Sequence, residues 1–339
     1  MRIQTERKAG LKVGCQSYWS SHPLVVELER STPGLSFVRD DCAGLFRRLE
    51  AGEVDYAFCS SISLLRNNDF EMAFPLGVSH RGPGHAAVWG LSNAQAHVLS
   101  YIHERTATLR EQFRATQLAK TENLKQGIRS FRELFLATPV PRLELVPLMR
   151  MSTGSSSWSC LSRLLYRLIF GVDAYNSLVL AQNVLSSPQD LGDDGIELRI
   201  ENDALQKRCS FPHVVDLAQV WREITGLPFV STILQKNRRF PEVFAPSRFS
   251  ECLELAQMRM QVEPCTYYPD ILPRNTQQQA IDLCTLWKGL GYRLDHDDLR
   301  SLLIFLYFCK PLEKKSLEDE VFTLKMLRWQ QRENALHSL

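Results

Sequence analysis

The strongest constraint on the fold is the alternation of short apolar runs and amphipathic stretches in the first ninety residues. Leu11-Lys-Val-Gly-Cys15 is a short strand that ends in a polar turn. Pro23–Glu29 follows with helical character, and Pro23 stands near the first turn, where a missing N–H is harmless. Leu35–Arg39 is the next strand, Cys42–Glu50 a helix closed by Ala51-Gly52, and Val54–Cys59 a third strand ending at Ser60-Ser61. This order predicts a β-α-β-α-β unit with polar turns at the carboxyl ends of its strands. In open α/β sheets those ends are where ligands bind.

Further strands are expected at Phe74–Val78 and Ala86–Trp89, separated by a turn containing Arg81-Gly-Pro-Gly84. Pro75 argues against the first of these as a strand or else places it at a sheet edge. From Ala94 to Leu136 the chain contains no proline, and apolar residues recur at Leu109, Phe113, Leu118, Leu124, Ile128 and Phe135. That pattern predicts amphipathic helix in more than one segment, packed on one lobe, with a dimerising or regulatory element as the alternative. Strand-like Leu143–Pro147 leads to Ser152-Thr-Gly-Ser-Ser-Ser157 and a helix from Trp158 to Phe170. Hydroxyls before a helix cap its free N–H groups, and the same geometry seats anions. Ile196–Ile200 and the run after Gly226-Leu-Pro228 read as strands, and Val214–Trp221 is mixed. Gln277–Gly289 and Asp297–Phe308 read as a helix pair joined by Gly291–His296.

Composition excludes several functions. The 40 basic and 38 acidic residues leave a net charge of only +2, and the basic clusters at Arg2–Lys8, Arg47–Arg48 and Lys236–Arg239 are short. A nucleic-acid surface is therefore not expected. Leu302–Phe308, the most apolar run, is too short to span a bilayer, and no apolar stretch follows the early charges. A cytoplasmic location is expected. The nine cysteines are scattered without a Cys-x-x-Cys pair, and no histidine stands at ligand spacing to one. No metal site is expected, and Cys59, Cys284 and Cys309 suit small buried hydrophobes.

Several segments together resemble one family. Ser17-Tyr-Trp-Ser-Ser-His-Pro-Leu24, Gly52-Glu-Val-Asp55 with Ser60-Ser61-Ile62, the turn Ser79–Ala87, the hydroxyl-rich Ser155–Ser159 and above all Asp216-Leu-Ala-Gln-Val-Trp-Arg-Glu-Ile-Thr-Gly-Leu-Pro-Phe-Val230 occur in the family's order. The chain resembles the chorismate dehydratases of the futalosine route to menaquinone. The resemblance implies an α/β, two-lobed, periplasmic-binding-protein-like type II fold with a helical insertion. Residues 1–90 and 230–314 would form lobe 1 and 91–229 lobe 2, with the insertion at about 94–136 and a C-terminal extension at 315–339. Three departures touch the family's pocket: its asparagine is Ser20, its serine after the Gly-Pro turn is Ala86, and its glycine after Ile200 is Glu201.

The activity so implied is a lyase converting chorismate to 3-[(1-carboxyvinyl)oxy]benzoate without cofactor or metal, since aromatisation drives loss of water. The protein must hold two carboxylates, orient the leaving hydroxyl and assist a proton transfer. Ser17, Ser61, Ser155, Ser156 and Ser157 are the candidates to cradle carboxylates, and Ser20 to bond the leaving group. Arg39 and Arg81 are the candidate cations, since a planar fork suits a carboxylate, with surface charge as the plain alternative. His22 and His85 stand in pocket turns where imidazole can move a proton, with turn packing as their alternative. Trp19 either stacks on a flat ring or closes the core. The rival functions are a non-catalytic sensor or carrier for a small organic acid, favoured by Ala86 and Glu201, another small-acid enzyme of the same fold, and a structural partner protein. The expected partner is a small carboxylate, and a homodimer stays open.

Overall fold

The computed structural model describes residues 11–31, 34–116, 124–137, 147–150, 156–171, 195–239 and 277–310, with scattered positions between 251 and 263. Among the described residues, ten strands fall into two sheets. β1 (Lys12–Cys15), β2 (Ser36–Arg39), β3 (Tyr56–Ser60), β4 (Phe70–His80), β9 (Phe229–Asn237) and β10 (Leu290–Arg293) form the first, in the order β10-β4-β9-β3-β1-β2. β5 (Ala87–Leu91), β6 (Met149–Arg150), β7 (Ile196–Ile200) and β8 (His213–Asp216) form the second, in the order β6-β7-β5-β8.

The parallel triplet β2-β1-β3 is the unit read from the opening residues. Its helices are α1 (His22–Ser31) and α2 (Cys42–Ala51), close to their expected bounds. α2 shows why the sequence stops and starts there. The Asp41 carboxylate accepts from the Gly44 N–H at 2.6 Å, and Gly52 closes the helix at φ 71°, a conformation open to glycine without strain.

Two expectations about the first sheet are corrected. β4 is not an edge strand, because it lies between β10 and β9. Pro75 is accommodated by a bulge: the register against β9 shifts between Met72 and Gly77, so Pro75 needs no ladder bond there, while its carbonyl accepts from Leu294 N–H at 2.8 Å. The last two described helices, α8 (Gln277–Lys288) and α9 (His296–Cys309), are joined by a strand rather than a turn. β10 in that link pairs antiparallel with β4. Leu290–Arg293 is only four residues long and contains Gly291, so its local sequence carries little strand signal.

The chain crosses between the sheets after β4, through residues 81–86, and before β9, through residues 226–228. Between them lie α3 (Ala96–Ala115), α4 (Leu124–Ala137), α5 (Ser156–Phe170), α6 (Glu201–Lys207) and α7 (Leu217–Thr225). α3 and α4 are the expected insertion helices, but they do not pack on one lobe alone. Phe131 of α4 sits between Phe113 of α3 and Phe308 of α9, with ring centroids 5.6 and 5.4 Å away. α9 in turn packs on β9, while α3 packs mainly on α7. Leu118, Leu124, Ile128 and Phe135 of the predicted pattern lie where no side chain is described, as does the whole of Leu143–Pro147 except Pro147.

The core is continuous between the sheets. Trp89, Trp158, Trp221, Phe229, Phe305 and Leu302 are all buried. Cys59 and Cys309 are buried as expected, whereas Cys284 is partly exposed. The Asp216–Val230 block is structural. Asp216 caps α7 through the Ala218 and Gln219 N–H groups, Gly226 ends it at φ 72°, and Trp221 Nε1 donates to Ser301 Oγ at 2.9 Å. No helix among the described residues is long and apolar enough to cross a membrane.

Candidate functional site

The loop after β1 is tied to the start of α6 from the opposite sheet. Trp19 N–H donates to Asn202 Oδ1 at 2.9 Å, and Asn202 Nδ2 donates back to the Ser17 carbonyl at 3.2 Å. Trp287 Nε1 bonds the Trp19 carbonyl and Tyr292 OH bonds the Ser20 carbonyl, at 2.8 and 2.7 Å. These bonds fix residues 17–20 from both sides.

Glu201 lies at the centre of this junction. One carboxyl oxygen accepts from Ser20 Oγ and the other from Trp158 Nε1, each at 2.7 Å. Its residue is 3 % exposed, and no described cation pairs with it. Burial therefore outweighs the two hydrogen bonds and raises its pKa to about 7. The indole can only donate, so the acid form carries its proton on the oxygen that faces Ser20. The backbone is also unusual: Glu201 has φ 51°, and its N–H bonds the Ala86 carbonyl at 2.5 Å. A side chain in that conformation costs about 1 kcal/mol or more relative to glycine. The glycine of the resembled family stands at this position, so the φ value fits the family's residue better than it fits Glu201.

Trp158 is held edge-on to His80 and tilted on Phe229, both at 4.7 Å between centroids. Beside it, Ser157 Oγ lies 2.5 Å from Ser60 Oγ and 2.9 Å from Ser61 Oγ, and accepts from Ile62 N–H. Ser61 Oγ donates to the Val230 carbonyl at 2.9 Å. The proton count then closes: Ser61 gives its hydrogen to Val230, Ser157 gives its own to Ser61, and Ser60 donates to Ser157. The knot joins β3 to α5 and keeps all three hydroxyl hydrogens within the protein.

The sequence-predicted residues thus divide. Ser20, Ser61 and Ser157 are buried in adjoining parts of the junction, and Ser17 contributes its carbonyl. Ser155 lies outside the described residues, and of Ser156 only the backbone, as the first residue of α5, is described. His22 opens α1 and is half-buried, its N–H reaching the Trp19 carbonyl at 3.4 Å. Trp19 is partly buried against the main core.

Arg39 pairs with Glu29 at 3.4 Å on the surface. Arg81 binds Asp298, lies 2.9 Å from Asp295, and donates to the Arg293 carbonyl at 3.1 Å. Asp298 is fully buried and also accepts from Ser79 Oγ, so Arg81 is the counter-charge of a buried carboxylate. His85 has φ 53°, and its ring Nδ1 is 3.6 Å from Asp216 Oδ2, which accepts from His85 and Gly84 N–H groups. Burial lowers its pKa against the pull of Asp216.

Glu201 and Trp158 were not among the predicted site residues. The only sequence signal for Glu201 was its departure from the family's glycine, and Trp158 read as the first apolar residue of a helix. Among the described residues, no group of three or more His, Cys, Asp or Glu side chains is placed to hold a metal ion.

No family model matches the sequence, and no curated protein matches it. Solved structures do. A protein of Bordetella bronchiseptica is 12% identical with a TM-score of 0.51, over 96% of this chain and all of that one. A Candida albicans gene product, described as exhibiting the generic periplasmic binding protein fold, is 12% identical with a TM-score of 0.49 over 94% of each chain. An Archaeoglobus fulgidus protein is 11% identical with a TM-score of 0.49, over 91% of this chain and 99% of that one. At such identities the likeness concerns the fold alone. The two sheets, the double crossover and the antiparallel β9 between β3 and β4 give this chain the two-lobed, periplasmic-binding-protein-like α/β fold.

Proposed function

We propose that this chain binds a small organic acid of the chorismate class between its lobes, and that Glu201 is the internal carboxylate that the ligand displaces. The observation that carries this reading is the Glu201 carboxyl group held by Ser20 Oγ and Trp158 Nε1, two neutral donors from opposite sides of the junction. Neutral donors in a buried site suit an oxyanion that is exchanged rather than permanently neutralised. The resemblance of the first loop, Ser17–Leu24, to the dehydratase family supports the ligand class. A cytoplasmic location and a homodimer belong to the same reading as proposals.

A second reading, chorismate dehydration in menaquinone biosynthesis, is favoured by one feature. A carboxyl group titrating near neutrality beside a hydroxyl is suited to acid–base work. In that reaction the Glu201 carboxylate would take the ring proton. The resulting acid would return it to the departing hydroxyl, so that chorismate gives the aromatic ether and one water.

Adding chorismate to the purified protein tests both readings. Saturable 1:1 heat of binding without an aromatic product is the result expected for the binding protein. Product formation that disappears in Glu201→Gln, with binding retained, establishes the lyase. Absence of both overturns the ligand assignment.

A further inference from the structure

A cavity lies at the hinge, where the two crossovers join the sheets. It measures about 420 Å³ and is walled by Arg110 and Arg114 of α3, by Gln219, Arg222 and Glu223 of α7, and by Gly82, Pro83 and Gly226 of the two crossovers. That volume is within the range of small-molecule sites. It is separate from the Ser20–Glu201–Trp158 cluster, none of whose members lines it.

The charges facing the cavity are unequal. Arg110 and Arg114 are four residues apart on α3, so their side chains leave the same helix face. Arg222 approaches from α7, and its guanidinium also donates to the Arg81 carbonyl. Two carboxylates oppose them. Glu111 lies 3.4 Å from Arg110 and 3.3 Å from Arg114 but is 64% exposed, so solvent screens it. Glu223 accepts from Gln219 Nε2 at 2.9 Å. Arg110 Nε is buried and makes no hydrogen bond, its only ion-pair partner among the described residues being Glu111 at 3.4 Å. His80 on the floor adds no charge, since its imidazole bonds Ser231 and burial holds its pKa at about 3. The carbonyl end of α7 is partly covered, because Gly226 N–H bonds the Arg222 carbonyl and Thr225 Oγ1 the Trp221 carbonyl, at 2.7 and 2.8 Å.

We infer that this hinge cavity binds the phosphate group of a small phosphorylated molecule. Two guanidinium forks from one helix face and a third from the opposite wall suit a multiply charged tetrahedral oxyanion, whereas a single carboxylate needs only one fork. The cavity touches both crossovers, so its occupant rests on the two segments that join the sheets.

Calorimetric titration of the full chain with pyrophosphate at low ionic strength tests the site. The expected result is saturable 1:1 binding that weakens by at least about tenfold in R110Q/R114Q, with Arg114→Gln alone giving a smaller loss. A control, R129Q/K207Q, removes the same charge from exposed positions and keeps wild-type affinity. The two substituted arginines have exposed side chains, at 42% and 68%, so the double variant unfolds at the wild-type temperature without ligand. Absence of saturable binding, or equal weakening in the control, overturns the inference.

Discussion

Ser20 Oγ donates to Glu201 Oε2 at 2.7 Å, joining positions 181 residues apart. The bond ties the loop after β1 to the start of α6, and therefore one sheet to the other. Its acceptor carries a carboxyl group in a conformation that glycine adopts more readily. The consequences can be measured.

Stability should depend on pH through Glu201. Its folded pKa is raised to about 7 by burial, above the ordinary carboxyl value of the unfolded chain. Between those two values the folded state binds more protons than the unfolded state, so its stabilisation is full below the unfolded value and falls as pH rises towards 7. Above that the contribution is flat. Thermal midpoints measured across this window should decline with pH in the wild type and decline less in Glu201→Gln. Equal slopes would contradict the assignment.

Asp216→Ala should destabilise the protein by about 3 kcal/mol. The buried carboxylate accepts from the N–H groups of Gly84, His85, Ala218 and Gln219. Its removal uncaps α7 and frees the first crossover together. Urea unfolding of wild type, Asp216→Asn and Asp216→Ala should give a graded loss, with the asparagine variant intermediate.

Arg81→Ala should cost about 3 kcal/mol of stability, because Asp298 is then left buried without its counter-charge. The double variant R81A/D298N should recover part of that loss. If Arg81 instead contacted the ligand directly, the single variant would weaken chorismate binding while leaving the denaturation midpoint in place. Denaturation and titration on the same preparation separate these outcomes.

The sequence made the scaffold more legible than the site. The β2-β1-β3 triplet follows from local signals: apolar runs of strand length, an Asp cap and a glycine stop on α2. The Asp216–Val230 block was equally readable, because cap, buried Trp221 and Gly226 stop all lie within one segment. Pro75 misled because a proline rule judged strand by strand does not anticipate a bulge in the partner register. β10 escaped notice because its four residues gain their strand identity only from β4. The site depends on contacts of high sequence separation. Nothing near Glu201 in the chain announces Trp158 or Ser20, and nothing near Arg81 announces Asp298. Only the replacement of the family's glycine by Glu201 drew attention to this position, and its φ value and two donors come from the fold.

The most direct measurement compares chorismate affinity in the wild type and in Glu201→Gly. Glycine adopts φ 51° without strain and removes the internal carboxylate, while Ser20 and Trp158 keep their places. The account predicts at least about tenfold tighter 1:1 binding in the glycine variant, the equivalent of about 1.4 kcal/mol. Equal or weaker affinity in Glu201→Gly would contradict the claim that Glu201 occupies the ligand's place.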